Sequence, residues 1–161
     1  MNMKKTSKVV TERRKHVRLP ILHGILEPVE LEFYAKDASG KAVPQPAILA
    51  DLSAGGMRLI TFMEPPRAKE LNIMLKLSGV KAMPVTGRIS WVKNKGGVFM
   101  NGISFTAISP DDKKRINEMA EDYSDCDTRH ALKLPEVCVE TCRASGLCNK
   151  PQKNEPLFKK K

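Results

Sequence analysis

The chain has 161 residues, enough for one domain of about 100 residues with its own core, plus tails. Lys and Arg number 28 against 18 Asp and Glu, a formal charge of +10. That balance favours anionic partners: nucleic acid, nucleotide phosphates, or an acidic protein or membrane surface. No apolar run is long enough to cross a bilayer, and none follows the charged start as a secretory signal would require. The expectation is a cytoplasmic protein with no membrane insertion.

Residues 1–12 read as a flexible basic arm. The first 18 residues carry seven Lys or Arg and one Glu, with little apolar content to order them. Residues 13–124 read as one domain, mainly β. "LEFYAK" (Leu31 to Lys36) meets the turn cluster "DASGK", then "AVPQPAILADLS". In "GMRLIT", Met57, Leu59 and Thr61 alternate with Arg58 and Ile60. In "LNIMLKL", Leu71, Ile73, Leu75 and Leu77 share a face, with Met74 and Lys76 opposite. "VTGRISWV" and "VFMNGISF" flank a "KNKGG" turn. Short strands joined by tight turns, without helices between them, predict a small antiparallel six-stranded β-barrel. Phe33, Tyr34, Phe62, Trp91, Phe99 and Phe105 alternate within these strands, so most are expected in the core.

One helix closes the domain. "SPDDKKRINEMAEDY" offers Ser109 as N-cap, Pro110 at the first helical position, and Asp111 and Asp112 at the positive end of the dipole. Ile116, Met119, Ala120 and Tyr123 form its apolar stripe.

Residues 125–161 form a Cys-containing, partly helical tail with a basic end. A second helix is expected in "LPEVCVETCRASG", opened by Pro135 and closed by Gly146. The tail holds all four cysteines: Cys126, Cys138, Cys142 and Cys148. Cys138 and Cys142 would share a helix face at i,i+4, compatible with two thiolates on one zinc or iron ion. Cys148, Cys126 or His130 could complete such a set. The other reading is a small apolar stripe with Leu134, since cysteine behaves as a small hydrophobe.

Two stretches carry the functional signal. In "ERRKHVRLP", three residues separate Arg14 from Arg18, and Arg13 stands beside them. In "ADLSAGGMRL", Asp51, Ser53 and Gly56 sit at a turn between apolar runs. An arginine fork donates two hydrogen bonds to guanine O6 and N7, or clamps a phosphate. An ionised Asp accepts from the guanine N1–H and N2–H₂ edge. Ser53 can donate to a phosphate or brace the turn. Gly56 permits positive φ and clears space for a ligand.

Together the stretches resemble the bipartite signature of PilZ domains, receptors for the bacterial second messenger cyclic di-GMP: RxxxR, then D/NxSxxG. Arg14 and Arg18 match the first part; Asp51, Ser53 and Gly56 match the second. The resemblance runs from Arg13 to Tyr123 and includes "NGISF" before the helix. It implies a cyclic di-GMP receptor that passes its signal to a protein effector. In that family an arginine before RxxxR is associated with binding the messenger as a stacked pair; for Arg13 the other reading is one more basic residue in a basic arm.

The sequence holds no HExxH, GxxxxGK or GxSxG, so no enzyme is expected. The alternatives are a basic small barrel for single-stranded nucleic acid, disfavoured by aromatics expected in the core, and a ligand-independent protein-interaction adaptor.

Overall fold

The longest apolar segment of the β region becomes the hub of the sheet. The computed structural model describes residues 15–21, 30–36, 38–67, 69–148 and 150. It contains β1 (Leu19–Pro20), β2 (Glu30–Lys36), β3 (Ala42–Ser53), β4 (Gly56–Thr61), β5 (Leu71–Leu75), β6 (Met83–Lys95), β7 (Val98–Ile108) and α1 (Pro110–Ala131). Strand β3 pairs with β2 and β1 on one edge and β4 on the other, all antiparallel. The sheet runs β3-β2-β5-β6-β7-β4 and returns to β3 through the β3–β4 pairing. The six-stranded antiparallel barrel is therefore closed, which removes the free edges a short sheet would expose. Two-residue β1 is an addition, Leu19 opposite Leu52 and Pro20 opposite Asp51.

Alternation fills the barrel as the sequence predicts. Leu71, Ile73 and Leu75 point inward from β5, Met57, Leu59 and Thr61 from β4, Met83 and Val85 from β6. The β6–β7 hairpin turns at Gly96 and Gly97, both at positive φ (61° and 84°), the conformation that a two-residue hairpin of matching twist demands.

Helix α1 starts as read. The Ser109 side chain accepts from the Asp112 amide at 3.1 Å, and Ile116, Met119, Ala120 and Tyr123 are buried, with α1 against β1 and β3. It runs to Ala131, past position 124, because Cys126 continues the buried stripe. A Schellman motif ends it: the Leu134 amide donates to Arg129 O at 3.1 Å and the Lys133 amide to His130 O at 3.0 Å.

The second expected helix does not form. Residues 135–148 make a series of turns, with Cys142 N–H to Val139 O, Ser145 N–H to Cys142 O and Leu147 N–H to Ala144 O. Val137, Val139 and Thr141 are β-branched, and the stretch is too short to sustain a helix without a continuous apolar face. It is held down by Ala144 in the core, by Cys142 and Leu147 packed against that core, and by charge. Arg143 makes a bidentate pair with Asp122, both contacts at 2.9 Å, and its amide donates to the same carboxylate at 2.8 Å. This pairing holds the Asp122 carboxyl below its ordinary value. Burial pushes the Tyr123 hydroxyl up.

Candidate functional site

A single bulge aims the acid of "ADLSAGG" out of the barrel. On β3, Leu49 and Leu52 are both fully buried, three residues apart instead of two. The β3–β4 register shifts between Leu49 and Asp51, so Ala50 is the extra residue and alternation restarts after it. Asp51 thereby stands on the outer face opposite Arg58, while Leu52 still faces Met57 inside.

A row of residues then crosses four strands. Asp51 on β3 is paired with Arg58 on β4, Arg58 with Gly102 on β7, and Gly102 with Trp91 on β6. A second bulge, at Ser90, sets the last pairing. Gly102 leaves its place in the row empty, and the indole fills it: a Cβ there would sit 2.1 Å from Trp91 Nε1. Trp91 remains 40% exposed, with Lys93 Nζ 5.9 Å from its ring centroid. The expectation of core burial fails for Trp91 and for Phe62, which is 61% exposed; Phe99 and Phe105 are half-buried, and the side chains of Phe33 and Tyr34 lie outside the described residues. For Trp91 the Ser90 bulge is the reason; Phe62 lies just past the end of β4, where the barrel no longer covers it.

Charge concentrates at the other end of the row. Asp51 is 6% exposed, yet its Oδ2 lies 2.9 Å from Arg58 and 3.5 Å from Arg18. Arg58 Nε is buried beside it with no hydrogen-bond partner. Arg18, Asp51, Ser53, Arg58, Trp91 and Ser104 are among the residues lining one cavity of ≈ 140 Å³, about the volume that admits one aromatic ring. Ser90 and Ser104, both in its lining, share an exposed side-chain hydrogen bond.

The turn is braced from within. Ser53 Oγ donates to Gly56 O at 3.1 Å. Neither Gly55 nor Gly56 adopts positive φ, which corrects the expectation for Gly56. Its missing side chain is required by the sheet: a Cβ would lie 2.2 Å from the Ile103 carbonyl oxygen. Gly56 also lines the cavity. Gly55 is covered by His16, whose ring would meet an added Cβ at 2.9 Å. The segment from Lys15 is thus laid across the turn and anchored by Leu19, 1% exposed. Arg13 and Arg14 lie outside the described residues.

Sequence reasoning found Arg18, Asp51, Ser53 and Gly56, and these converge. It assigned no role to Arg58, Trp91 or Gly102, which line the same cavity. Strand alternation already placed Arg58 on the outer face; the bulge behind Trp91 left no comparable mark.

A family model described as PilZ domain matches residues 12–122. The chain belongs to the PilZ domain family. The match spans the barrel and most of α1, and the tail beyond residue 122 is outside it. No curated protein matches the chain. Among solved structures, YcgR from Escherichia coli in complex with c-di-GMP aligns at TM-score 0.50 and 16% identity, over 76% of this chain and 50% of that one. The inhibitor of motility MotI/DgrA from Bacillus subtilis aligns at TM-score 0.49 and 13% identity, over 78% and 55%. The PilZ domain of YcgR with c-di-GMP gives TM-score 0.48 and 16% identity, over 76% and 99%. The first two are longer proteins, and this chain spans about half their length. The YcgR alignment supports the barrel architecture.

The four cysteines of this PilZ chain line a second, smaller cavity between α1 and the tail. Burial pushes the Cys142 thiol up. Among the described residues, no three His, Cys, Asp or Glu side chains stand in an arrangement that could hold a metal ion. No described helix is long and apolar enough to cross a membrane.

Proposed function

We propose that this PilZ chain is a receptor for cyclic di-GMP and acts by binding, without catalysis. The observation that carries the reading is the row from Asp51 through Arg58 and Gly102 to Trp91, with Arg18 over its acidic end. Asp51 accepts from the guanine N1–H and N2–H₂ edge. Arg18 donates to O6 and N7 or to a phosphodiester, with Arg58 as the second cation. Trp91 offers a π-face on which a base stacks.

The cavity takes one base, so the rest of a cyclic dinucleotide lies over its mouth. Arg13 and Arg14, outside the described residues, are the further cations that would clamp the phosphates. Anchored Leu19 limits ordering on binding to positions before Lys15. The covered mouth is the surface a protein effector reads.

Calorimetry tests the reading. Cyclic di-GMP binds with micromolar affinity or better, about −8 kcal/mol, and Asp51→Ala or Arg18→Ala weakens it strongly. Equal binding by wild type and both variants overturns the site. An exposed tryptophan on a basic face also suits single-stranded nucleic acid; oligonucleotide binding without cyclic di-GMP binding would favour that reading.

A further inference from the structure

The barrel closes only along the length its strands share. Pairing of β5 with β6 ends where Leu71 meets Gly87, yet β6 runs on to Lys95. From Arg88 to Lys95, β6 is paired with β7 on one side. Among the described residues, no strand pairs with the other side, and no loop makes a backbone hydrogen bond to it. Lys95 and Val98 close the two-residue turn at Gly96 and Gly97, so they form a hydrogen-bonded pair, and bonding alternates back along the strand from them. Val92 and Asn94 therefore aim their N–H and C=O groups away from β7, toward the open edge.

This edge has two unlike faces. Arg88, Trp91, Lys93 and Lys95 share the outer one, and the stretch from Arg88 to Lys95 contains no acid. Ile89, Val92 and Asn94 turn to the other face, opposite Ile103, Asn101 and Phe99. There Ile89, Val92 and Phe99 meet Pro65 and Pro66 around an open groove of ≈ 530 Å³. Val92 is 44% exposed. The prolines lack the N–H that a pairing strand would offer, so their loop lines the groove and leaves the edge unpaired.

We propose that this edge of β6 takes an extended segment of a partner protein as an added strand, one in which acidic residues alternate with apolar ones. The apolar side chains enter the groove beside Val92, the acidic ones meet Lys93 and Lys95 on the outer face, and the backbone pairs with Val92 and Asn94. Charge selects this occupant. The chain's own ends are basic: the first 18 residues carry seven Lys or Arg and one Glu, and the last three are lysines. A second copy, edge to edge, would set its lysines against Lys93 and Lys95, and like charges directly opposite oppose such pairing. A nucleic acid would meet the cations but offers no strand to the open backbone groups. The edge is present in the empty chain, so it does not rest on the cyclic di-GMP reading.

The probe is a peptide of alternating Glu and Val, followed by fluorescence anisotropy as the full chain is added. It is expected to bind. A Lys–Val peptide should not bind, and a Glu–Val peptide of scrambled order should bind about tenfold more weakly. The double variant Lys93→Glu, Lys95→Glu should exchange the preference and take the Lys–Val peptide. Both positions are exposed, so the variant should fold as the wild type does. Amide hydrogen exchange reads the unaltered chain: the Val92 and Asn94 amides should exchange freely when the edge is empty and slow when the peptide is bound. Failure of the Glu–Val peptide to bind overturns the proposal and leaves the lysines as guards of a blunted edge. Binding with unchanged exchange at both amides overturns strand addition, as does equal binding of the ordered and scrambled peptides. A dimer of the chain alone, dissociated by Val92→Pro, would assign the edge to a second copy and overturn the acidic occupant. A single-stranded oligonucleotide that binds through Lys93 and Lys95 where the peptide does not would overturn it in favour of nucleic acid.

Discussion

Replacing Gly102 with alanine tests the stacking platform without touching a charged group. The new Cβ would lie 2.1 Å from Trp91 Nε1, 2.3 Å from Cε2 and 2.7 Å from Cδ1, where ordinary contacts begin at 3.4 Å. The indole must retreat by more than an ångström. It can do so, because Trp91 is 40% exposed and the colliding atoms belong to a side chain, not to the sheet. The barrel should therefore survive with a loss of about 1 kcal/mol or less. The cost to binding is larger, because base–aromatic stacking contributes about 1–3 kcal/mol per base. Affinity for cyclic di-GMP should fall roughly 5- to 150-fold. The chain has one tryptophan, so its emission reports directly on this site. Wild type should show an emission change on titration with cyclic di-GMP, and Gly102→Ala a shifted baseline with a weaker response. Unchanged affinity in a variant whose emission baseline has shifted would refute the platform.

The neighbouring glycines separate sheet packing from side-chain packing. Gly56→Ala sets a Cβ 2.2 Å from a backbone oxygen of β7 and should cost about 2–4 kcal/mol in urea unfolding, whereas Gly55→Ala displaces only the His16 ring and should cost about 1 kcal/mol or less. Trypsin should cut after Arg14 in the empty protein and more slowly with saturating cyclic di-GMP. Cutting after Arg18 should be slow in both states, because β1 pairing and buried Leu19 follow it. The tail clamp has an acid limit. The Arg143 hydrogen bonds depress the Asp122 pKa below 3.8, so the clamp's contribution is complete above that value and is lost as pH falls through the folded-state pKa. The Arg143 amide resonance should keep its position down to the unfolded-state value and move only below it, and Asp122→Asn should remove the transition.

The strand pattern and the helix start could be read from the sequence because alternation and capping are local. Leu71, Ile73 and Leu75 need only their own spacing to declare an inward face, and Ser109-Pro110-Asp111-Asp112 is a start signal complete in four residues. The RxxxR and DxSxxG spacings could be read because each is a contiguous pattern. Trp91 was lost because its direction depends on one extra residue, Ser90, whose insertion is settled by pairing with a strand still to come. The Ala50 bulge did leave a trace, in the three-residue spacing of Leu49 and Leu52, though only the register against β4 shows which residue is extruded. The tail was misread as helical for a related reason. Pro135 and Gly146 mark plausible helix ends, but the interactions that decide the segment's form are Arg143 with Asp122 and Lys150 with Tyr123, contacts across 21 and 27 residues.

The arrangement of charge suggests how binding becomes a signal. Without ligand, Asp51 is compensated by two guanidiniums from different elements, one on β4 and one beside β1. A cyclic dinucleotide brings two phosphodiester charges and a guanine donor edge, so it competes for both arginines and for the carboxylate at once. Asp51 and Arg58 are held by a closed barrel, and neither strand can move without breaking pairings on both edges. Gly102 and Trp91 are fixed in the same way by β6 and β7. The chain entering β1 is held by two paired residues, by buried Leu19 and Ile21, and by the packing of His16 on Gly55. In the proposed reading the barrel face takes the base, and Arg13 and Arg14, outside the described residues, are left to meet the phosphates. On that proposal the two functions fall to two parts of the chain, and a ligand-dependent surface would need no hinge inside the barrel.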